Sequence, residues 1–154
     1  MWLYNLGISL YAGGIRLAAL WHGKARLWSE GRRNIFERME AAVRPSDRIV
    51  WVHAASLGEF EQARPIIERL RAEHPEYKIL LTFFSPSGYE VRKDYKGADI
   101  VTYLPIDTVG NARRFLRTVR PVMAFFVKYE FWYNYLHILN PVSYTHLRAH
   151  ETSL

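Results

Sequence analysis

Residues 49–60, IVWVHAASLGEF, contain the transition that decides the fold. The segment begins with a short apolar run, residues 49–53, which predicts a buried β-strand. Apolar side chains then recur at helical spacing from Phe60 to about His74, and Pro75 ends that pattern. A buried strand followed directly by an amphipathic helix is the building unit of a parallel sheet.

The same alternation continues along the chain. Residues 78–84, 100–104 and 123–127 predict further strands, and helices are predicted at residues 87–95, 109–119 and 131–139. Strands that are almost entirely apolar indicate a parallel sheet covered by helices on both faces. We therefore predict an α/β fold, a Rossmann-like parallel sheet, over residues 48–140.

Composition narrows the classes of partner. The chain has 154 residues, a length that fits one domain. It has no cysteine, which excludes disulfides and thiolate metal sites. The net charge of +6 indicates an anionic partner, and a nucleic acid, a phosphorylated substrate and an anionic membrane are all compatible with it.

The N-terminal segment, residues 1–28, is apolar and rich in tryptophan and tyrosine. Asn5 and Arg16 interrupt the apolar run, so it falls short of the roughly 20 residues that a spanning helix needs. A cleaved signal peptide fits poorly, because the positive charges follow the apolar run. Trp2 and Trp21 suit the headgroup layer, and we predict a membrane-surface helix. A helix packed on the rest of the domain is the alternative, and the two can coexist.

Two further segments flank the predicted domain. Residues 29–47 are polar and charged and are predicted to form a connector. Residues 141–154, PVSYTHLRAHETSL, continue no periodicity of the fold and resemble a translated sequencing adapter. We predict that this tail is not native. His146 and His150 have a spacing that could bind a metal on a helix, but we reject that interpretation because the segment is accidental.

Glu59 is the first candidate for chemistry. In an open parallel sheet, ligands bind beyond the carboxyl ends of the strands, and Glu59 follows such an end at the start of a helix. Ser56 and Glu59 have the spacing of a capping box, which is the structural interpretation. The functional interpretation is a general base that the helix N-terminus keeps ionised, with Gly58 allowing a tight turn and the approach of a ligand.

Polar residues follow the other predicted strands as well. Residues 85–88, SPSG, could form an anion site at a helix N-terminus or only a cap and turn. Asp107 is most simply a helix cap, with Thr108 as the other candidate for the same helix. Lys128 and Glu130 follow the fourth strand and could face a ligand. Alternatively, each could form an ion pair that joins two elements of the fold. Together the four strand ends predict a cleft for an anionic ligand with a candidate carboxylate base.

Four motifs in order, at these spacings, resemble the N-terminal domain of Kdo (3-deoxy-D-manno-octulosonic acid) transferases. They are WVHAASLGEF at residues 51–60, LLTFFSPSGYE at 80–90, YLPIDT at 103–108 and KYEFWYN at 128–134. The resemblance covers roughly residues 49–139 and the apolar N-terminus. It implies a two-domain GT-B glycosyltransferase that adds Kdo to lipid A.

The resemblance also implies roles for residues. The N-terminal domain would bind the lipid A precursor, and a C-terminal domain that this chain lacks would bind the donor, CMP-Kdo. Glu59 would be the catalytic base, and neither a metal nor another cofactor is expected. The acceptor-binding residues would be Ser56, Gly58, Ser85, Ser87, Gly88, Lys128 and Glu130. Lys128 departs from the glutamate that many members have there, so the role of that glutamate cannot be transferred to it.

The resemblance implies a location too: the cytoplasmic face of the bacterial inner membrane, with inner-membrane lipids and no nucleic acid as partners. Because the donor domain is missing, we expect this chain to bind acceptor weakly and to catalyse nothing. A basic nucleic-acid-binding module and another GT-B glycosyltransferase remain the competing hypotheses.

Overall fold

The computed structural model describes residues 2–127, residues 131–139 and the backbone of residues 145–147. The strands are β1 (Ile49–Ala54), β2 (Lys78–Phe83), β3 (Ile100–Tyr103), β4 (Met123–Val127) and β5 (Thr145–Leu147). The helices are α1 (Trp2–Ala18), α2 (Gly23–Glu30), α3 (Ile35–Ala42), α4 (Leu57–Glu73), α5 (Pro86–Arg92), α6 (Val109–Val119) and α7 (Tyr133–Leu139). The predicted α/β class with a parallel sheet is confirmed.

The strand order places a switch in direction beside β1. Neighbouring strands follow the order β3-β2-β1-β4-β5, and every pair is parallel. From β1 the chain proceeds to β2 and β3 on one side and later to β4 on the other. Crevices for ligands form at such switch points, beyond the carboxyl ends of the strands. The carboxyl ends of β1 and β4 therefore lie side by side where a ligand is expected.

The core lies on both faces of the sheet, as the apolar strands predict. Trp51 of β1 packs on one face, with its ring centroid 4.7 Å from that of Phe115 on α6. Val50 and Val52 point to the other face, where Phe60 of α4 belongs to the same cluster. Because every residue of β1 is buried, this strand fixes the position of the residues that follow it.

Helix α3 lies within residues 29–47, where the sequence predicted a connector. Ile35 and Met39 are buried and belong to the core cluster that contains α6. On the surface, Arg114 of α6 donates two hydrogen bonds to Glu40 at 3.0 and 3.1 Å. The apolar residues of this helix stand among many charged ones, so its periodicity is too weak to identify in the sequence. Helix α2 likewise runs across residue 28, the predicted end of the first segment.

Helix α1 packs by one side at the carboxyl edge of the sheet. The Tyr4 hydroxyl donates to Asp107 Oδ2 at 2.5 Å, and Asn134 Nδ2 donates to Asn5 Oδ1 at 3.0 Å. The other side stays open: Trp2 is 71% exposed and Leu10 is 68% exposed. The membrane-surface and packed-helix interpretations are therefore compatible. None of the helices in the described residues is long and apolar enough to cross a bilayer.

Three residues of the predicted non-native tail have a described backbone. They form β5, which pairs in parallel with β4, with Phe125 opposite Thr145 and Val127 opposite Leu147. The pairing concerns backbone geometry, whereas the adapter hypothesis concerns the origin of the sequence, so that hypothesis stays a prediction. The division of the chain into segments at residues 28, 47 and 140 also stays a prediction.

Candidate functional site

The residues between β1 and α4 form the centre of the candidate site. Ser56 has extended backbone angles and occupies the N-cap of α4. Its backbone N–H donates to Glu59 Oε2 at 3.0 Å, so the capping box predicted from the sequence is present. Glu59 is nevertheless only half-buried. The structure thus supports the capping interpretation and leaves the carboxylate accessible.

The geometry of Glu59 is suitable for taking up a proton. One carboxylate oxygen accepts the Ser56 N–H, and within residues 2–127 and 131–139 the group forms no salt bridge. An ionised carboxylate without a neutralising cation, at the carboxyl end of a parallel strand, can accept a proton from a bound hydroxyl. The position therefore agrees with a general base, and the assignment of that role stays a prediction.

The serines after β2 lie beside this centre. Ser85 is the N-cap of α5, its backbone N–H donates to Ala55 O at 2.8 Å, and its hydroxyl lies 2.7 Å from that of Ser87. The bond to Ala55 joins the loops that follow β1 and β2. Ser87 is exposed and Ser85 is half-buried. Both hydroxyls can therefore reach a ligand at the same edge of the sheet as Glu59.

The two candidate glycines serve different purposes. Gly58 has no positive φ, which corrects the expectation of a tight turn there. It is exposed, and a Cβ built on it meets nothing within 4 Å, so the surface above it is open to a ligand. Gly88 is buried, and a Cβ built on it would lie 2.3 Å from the Phe83 ring. Gly88 is thus required first for the packing of α5 on β2.

We expect opposite effects on stability from substituting these two glycines. Gly88→Ala lowers the free energy of unfolding by about 1–3 kcal/mol, because the Phe83 ring is fully buried and cannot move aside. The matched control Gly58→Ala raises it by about 0.4–1 kcal/mol, because the site is helical and uncrowded. Urea unfolding followed by circular dichroism measures both. Equal stability of the two variants would contradict the packing role of Gly88.

Asp107 caps a different helix from the one predicted. Thr108 is the N-cap of α6 and accepts the Asn111 N–H at 3.2 Å. The fully buried Asp107 carboxylate instead accepts the backbone N–H groups of Asn134 and Tyr135, each at 3.2 Å, at the start of α7. Burial raises the pKa of Asp107, although these hydrogen bonds oppose the shift. The side chain therefore joins the end of β3 to the segment that follows β4.

His53 and Trp132 form a contact that the sequence did not suggest. The Trp132 indole Nε1–H donates to His53 Nε2 at 3.0 Å, and His53 Nδ1 lies 2.9 Å from Thr82 Oγ1. Because an indole can only donate, this geometry places the imidazole proton on Nδ1. His53 is fully buried at the end of β1. The bond therefore joins Trp132 to the carboxyl end of β1, the strand that leads to Ser56 and Glu59.

Arg32 is the second residue that sequence reasoning missed. Its guanidinium donates to Leu104 O and Phe84 O, both at 2.9 Å, and to Trp28 O at 3.1 Å. It also lies 4.0 Å from the centre of the Trp28 ring, within range of a cation–π interaction. Burial lowers the pKa of Arg32 to about 9, so it stays charged near neutral pH. This cation lies over the ends of β2 and β3.

The last two candidates, Lys128 and Glu130, lie outside the described residues. Their predicted contact with an acceptor stays a prediction. The neighbouring Trp132 is described, half-buried, and packs its ring 4.5 Å from that of Phe84 after β2. Trp132 itself therefore lies at the carboxyl edge of the sheet, beside the residues that follow β2.

Comparison with known proteins gives a consistent result. A family described as 3-Deoxy-D-manno-octulosonic-acid transferase (kdotransferase) matches residues 31–144. The 3-deoxy-D-manno-octulosonic acid transferase of Haemophilus influenzae is 32% identical over 96 residues, 62% of this chain and 22% of that protein. The transferase of the same description from Aquifex aeolicus is 39% identical over 84 residues, 54% of this chain and 23% of that protein.

A third relative has a similar description. The probable mitochondrial 3-deoxy-D-manno-octulosonic acid transferase of Arabidopsis thaliana is 33% identical over 95 residues, which cover 61% of this chain and 21% of that protein. The chain thus spans less than a quarter of the length of these curated relatives.

Proposed function

The chain belongs to the Kdo transferase family, as its N-terminal domain, and from this premise we propose that it forms the acceptor-binding half of a lipopolysaccharide-synthesising glycosyltransferase. The complete enzyme would transfer Kdo from CMP-Kdo to a lipid A precursor. The observation that carries the proposal is the accessible Glu59 carboxylate at the carboxyl end of β1, inside the matched residues. The donor would bind to a second domain outside the residues of this chain.

In the proposed reaction, Glu59 removes the proton from the acceptor hydroxyl. That oxygen forms a bond to the anomeric carbon of Kdo, and the bond from this carbon to the phosphate oxygen of CMP breaks. CMP leaves with the electron pair, and the resulting negative charge is spread over the oxygens of its phosphate group. The transition state has oxocarbenium character, as at other glycosidic centres. We propose that this reaction proceeds without a metal or another cofactor.

The hydroxyls near Glu59 would position the acceptor. Ser85 and Ser87 lie at the same sheet edge, tied to the loop after β1 by the bond from Ser85 N–H to Ala55 O. The open surface at Gly58 would let a sugar approach the backbone of α4. Ser56 holds the start of that helix in place through Glu59. Lys128 and Glu130 would complete the acceptor contacts from the segment after β4.

We also propose that α1 holds the enzyme on the cytoplasmic surface of the inner membrane. Trp2 and Trp21 are more than 70% exposed, and Leu3, Leu10, Leu17 and Leu20 are each at least 60% exposed. Burying such side chains in the headgroup region removes apolar surface from water, and nearby basic residues are attracted to anionic lipids. This location would place the acceptor site close to the lipid A precursor.

We expect the purified chain to bind the lipid A precursor and to transfer no Kdo when CMP-Kdo is added. Binding can be followed by the fluorescence of the tryptophans, and transfer by mass spectrometry of the lipid. The complete enzyme provides the positive control, and a single-stranded oligonucleotide tests for general affinity for polyanions. Transfer by the chain alone would contradict the assignment of the donor to a second domain. Binding of the oligonucleotide but not of the lipid would contradict the proposed function.

A further inference from the structure

A path of hydrogen bonds connects the Arg32 guanidinium to the Glu59 carboxylate through two peptide groups. In the first step, Arg32 Nη2 donates to Phe84 O at 2.9 Å. The same peptide group presents the Ser85 N–H on its opposite side, because a planar trans peptide holds its carbonyl and its N–H antiparallel. The Ser85 N–H then donates to Ala55 O at 2.8 Å. These two bonds link the turn before α3 to the residues after β2 and, through them, to those after β1.

The second peptide group completes the path. It contains Ala55 O and the Ser56 N–H, and that N–H donates to Glu59 Oε2 at 3.0 Å. A cation therefore stands at one end of the path and a carboxylate at the other. A donor at a carbonyl oxygen makes the N–H of the same peptide group a stronger donor, so bonds in series reinforce one another. The linking residues are all half-buried, which limits competition from water.

Arg32 has the surroundings that the donor end of this path requires. Its guanidinium lies 4.0 Å from the centre of the Trp28 ring and 4.7 Å from that of the Tyr103 ring. A Cβ on the preceding Gly31 would overlap the Tyr103 ring, so the turn approaches it this closely because of the glycine. Within the part of the chain that the structure describes, no carboxylate pairs with Arg32. Its charge is therefore directed at backbone carbonyls.

Only one of the three carbonyls that Arg32 holds continues toward the candidate site. The Leu104 carbonyl belongs to the peptide group of Pro105, which has no N–H, so that branch ends there. The Trp28 carbonyl belongs to a peptide group within helix α2. The bonded path from the cation to the candidate base is therefore the one through Phe84.

We propose that Arg32 is a positioning residue for Glu59, which it orders through the two peptide groups without touching a reacting atom. The inference rests on the proposed function, because it assigns Arg32 a part in the activity of that same site. A stronger bond from the Ser56 N–H narrows the orientations open to the carboxylate before the acceptor binds. A base that is already oriented reacts faster than one that must be ordered during the reaction. Arg32 therefore contributes to kcat.

The hydrogen-bond path can be tested without transfer activity, from the backbone amide proton shifts of the full chain in NMR spectra. Arg32→Met removes the donor end, and we expect the Ser56 amide proton to move upfield by about 10–30% of its displacement from the unfolded-chain value. Glu59→Gln removes the charge at the other end. The Ser85 amide proton should then also move upfield, although its own acceptor is Ala55 O. An unchanged Ser85 shift would overturn the proposal even if Arg32→Met failed to fold.

Arg114→Met is the matched control for the spectra. Arg114 also joins distant elements, through two hydrogen bonds to Glu40, and lies 4.4 Å from the centre of the Phe36 ring. Its loss should leave the Ser56 amide shift unchanged, because no bonded path leads from it to the site. A Ser56 shift that is unchanged in Arg32→Met, or changed equally in Arg114→Met, would show that Arg32 does not act along the path.

Kinetics of the complete enzyme that contains this segment test the positioning role. We expect Arg32→Met to lower kcat about three- to tenfold and to change KM less than about twofold. Arg32→Lys retains a charged donor and should recover part of the loss, and Arg114→Met should keep wild-type kcat. A rise in KM with kcat unchanged would mean that Arg32 only holds the acceptor residues after Phe84, and the positioning role would be wrong.

The outcomes separate this inference from the proposed function. If Glu59→Gln abolished transfer but the Ser56 shift did not respond to Arg32→Met, the base would stand and the coupling to Arg32 alone would be wrong. If the amide shifts responded but the complete enzyme transferred no Kdo, the coupling would stand and the proposed function would be wrong.

Discussion

We expect the replacement of Glu59 with glutamine to lower kcat for Kdo transfer by about 10²–10⁴-fold in the complete enzyme that contains this segment, because the acceptor hydroxyl would lose its proposed general base. Glutamine is nearly isosteric and, like glutamate, is found at the third helical position of a capping box. The side-chain oxygen can therefore still accept the Ser56 N–H. We expect the free energy of unfolding to change by less than about 0.5 kcal/mol. Steady-state kinetics and urea unfolding measure the two quantities.

Two further variants separate the base from the cap. Glu59→Ala removes both and should lose activity together with about 0.5–2 kcal/mol of stability. Glu68→Gln neutralises an exposed glutamate farther along α4 and should preserve transfer. If Glu59→Gln retained wild-type kcat, the carboxylate would be only a cap, and the proposed mechanism would lose its base.

Capping and proton transfer are compatible roles for one carboxylate. In the structure, Oε2 accepts the Ser56 N–H, while the side chain remains half-exposed at the carboxyl end of β1. The hydrogen bond fixes the orientation of the group before a substrate binds. Fixed orientation is favourable for catalysis, because the reacting groups need no reorganisation at the moment of reaction. The sequence could show the spacing of Ser56 and Glu59 but not whether the carboxylate would be accessible.

The parallel sheet was predictable because its strands are nearly continuous apolar runs. Val50, Trp51 and Val52 are buried on opposite faces of β1, and only a strand covered on both faces produces such a run. Helix α3 was not predictable in the same way. Its buried residues, Ile35 and Met39, are one turn apart in an otherwise charged segment, and their burial depends on the distant helix α6.

The side-chain contacts between distant segments were beyond the reach of sequence patterns. Gly88 could be read as part of an anion site, because only the fold brings the Phe83 ring against it. Arg32 stood in a predicted connector, and its carbonyl partners follow two different strands. A local signal exists for His53, a polar residue within an apolar strand. Its partner Trp132 lies 79 positions away, and no spacing rule connects them.

Asp107 is the residue whose loss we expect to damage the fold most. Asp107→Ala would leave the backbone N–H groups of Asn134 and Tyr135 without their acceptor and would release the Tyr4 hydroxyl. Each unsatisfied buried donor costs about 1–3 kcal/mol, and removing a partly unfavourable buried charge offsets some of this. We expect a net loss of about 2–4 kcal/mol near neutral pH. Tyr4→Phe removes only the bond to α1 and should cost about 1 kcal/mol.

The dependence of this loss on pH follows from the raised pKa of Asp107, which is caused mainly by burial. For a carboxyl group with a raised pKa in the folded state, the stability it contributes is fully present below its ordinary value of about 3.9. That contribution is lost as the pH rises through the folded-state pKa. The difference in unfolding free energy between wild type and Asp107→Ala should therefore be larger near pH 4 than near pH 8. An equal or smaller difference at the lower pH would contradict the raised pKa, and a loss below about 1 kcal/mol at both would contradict the role of Asp107 as the cap of α7.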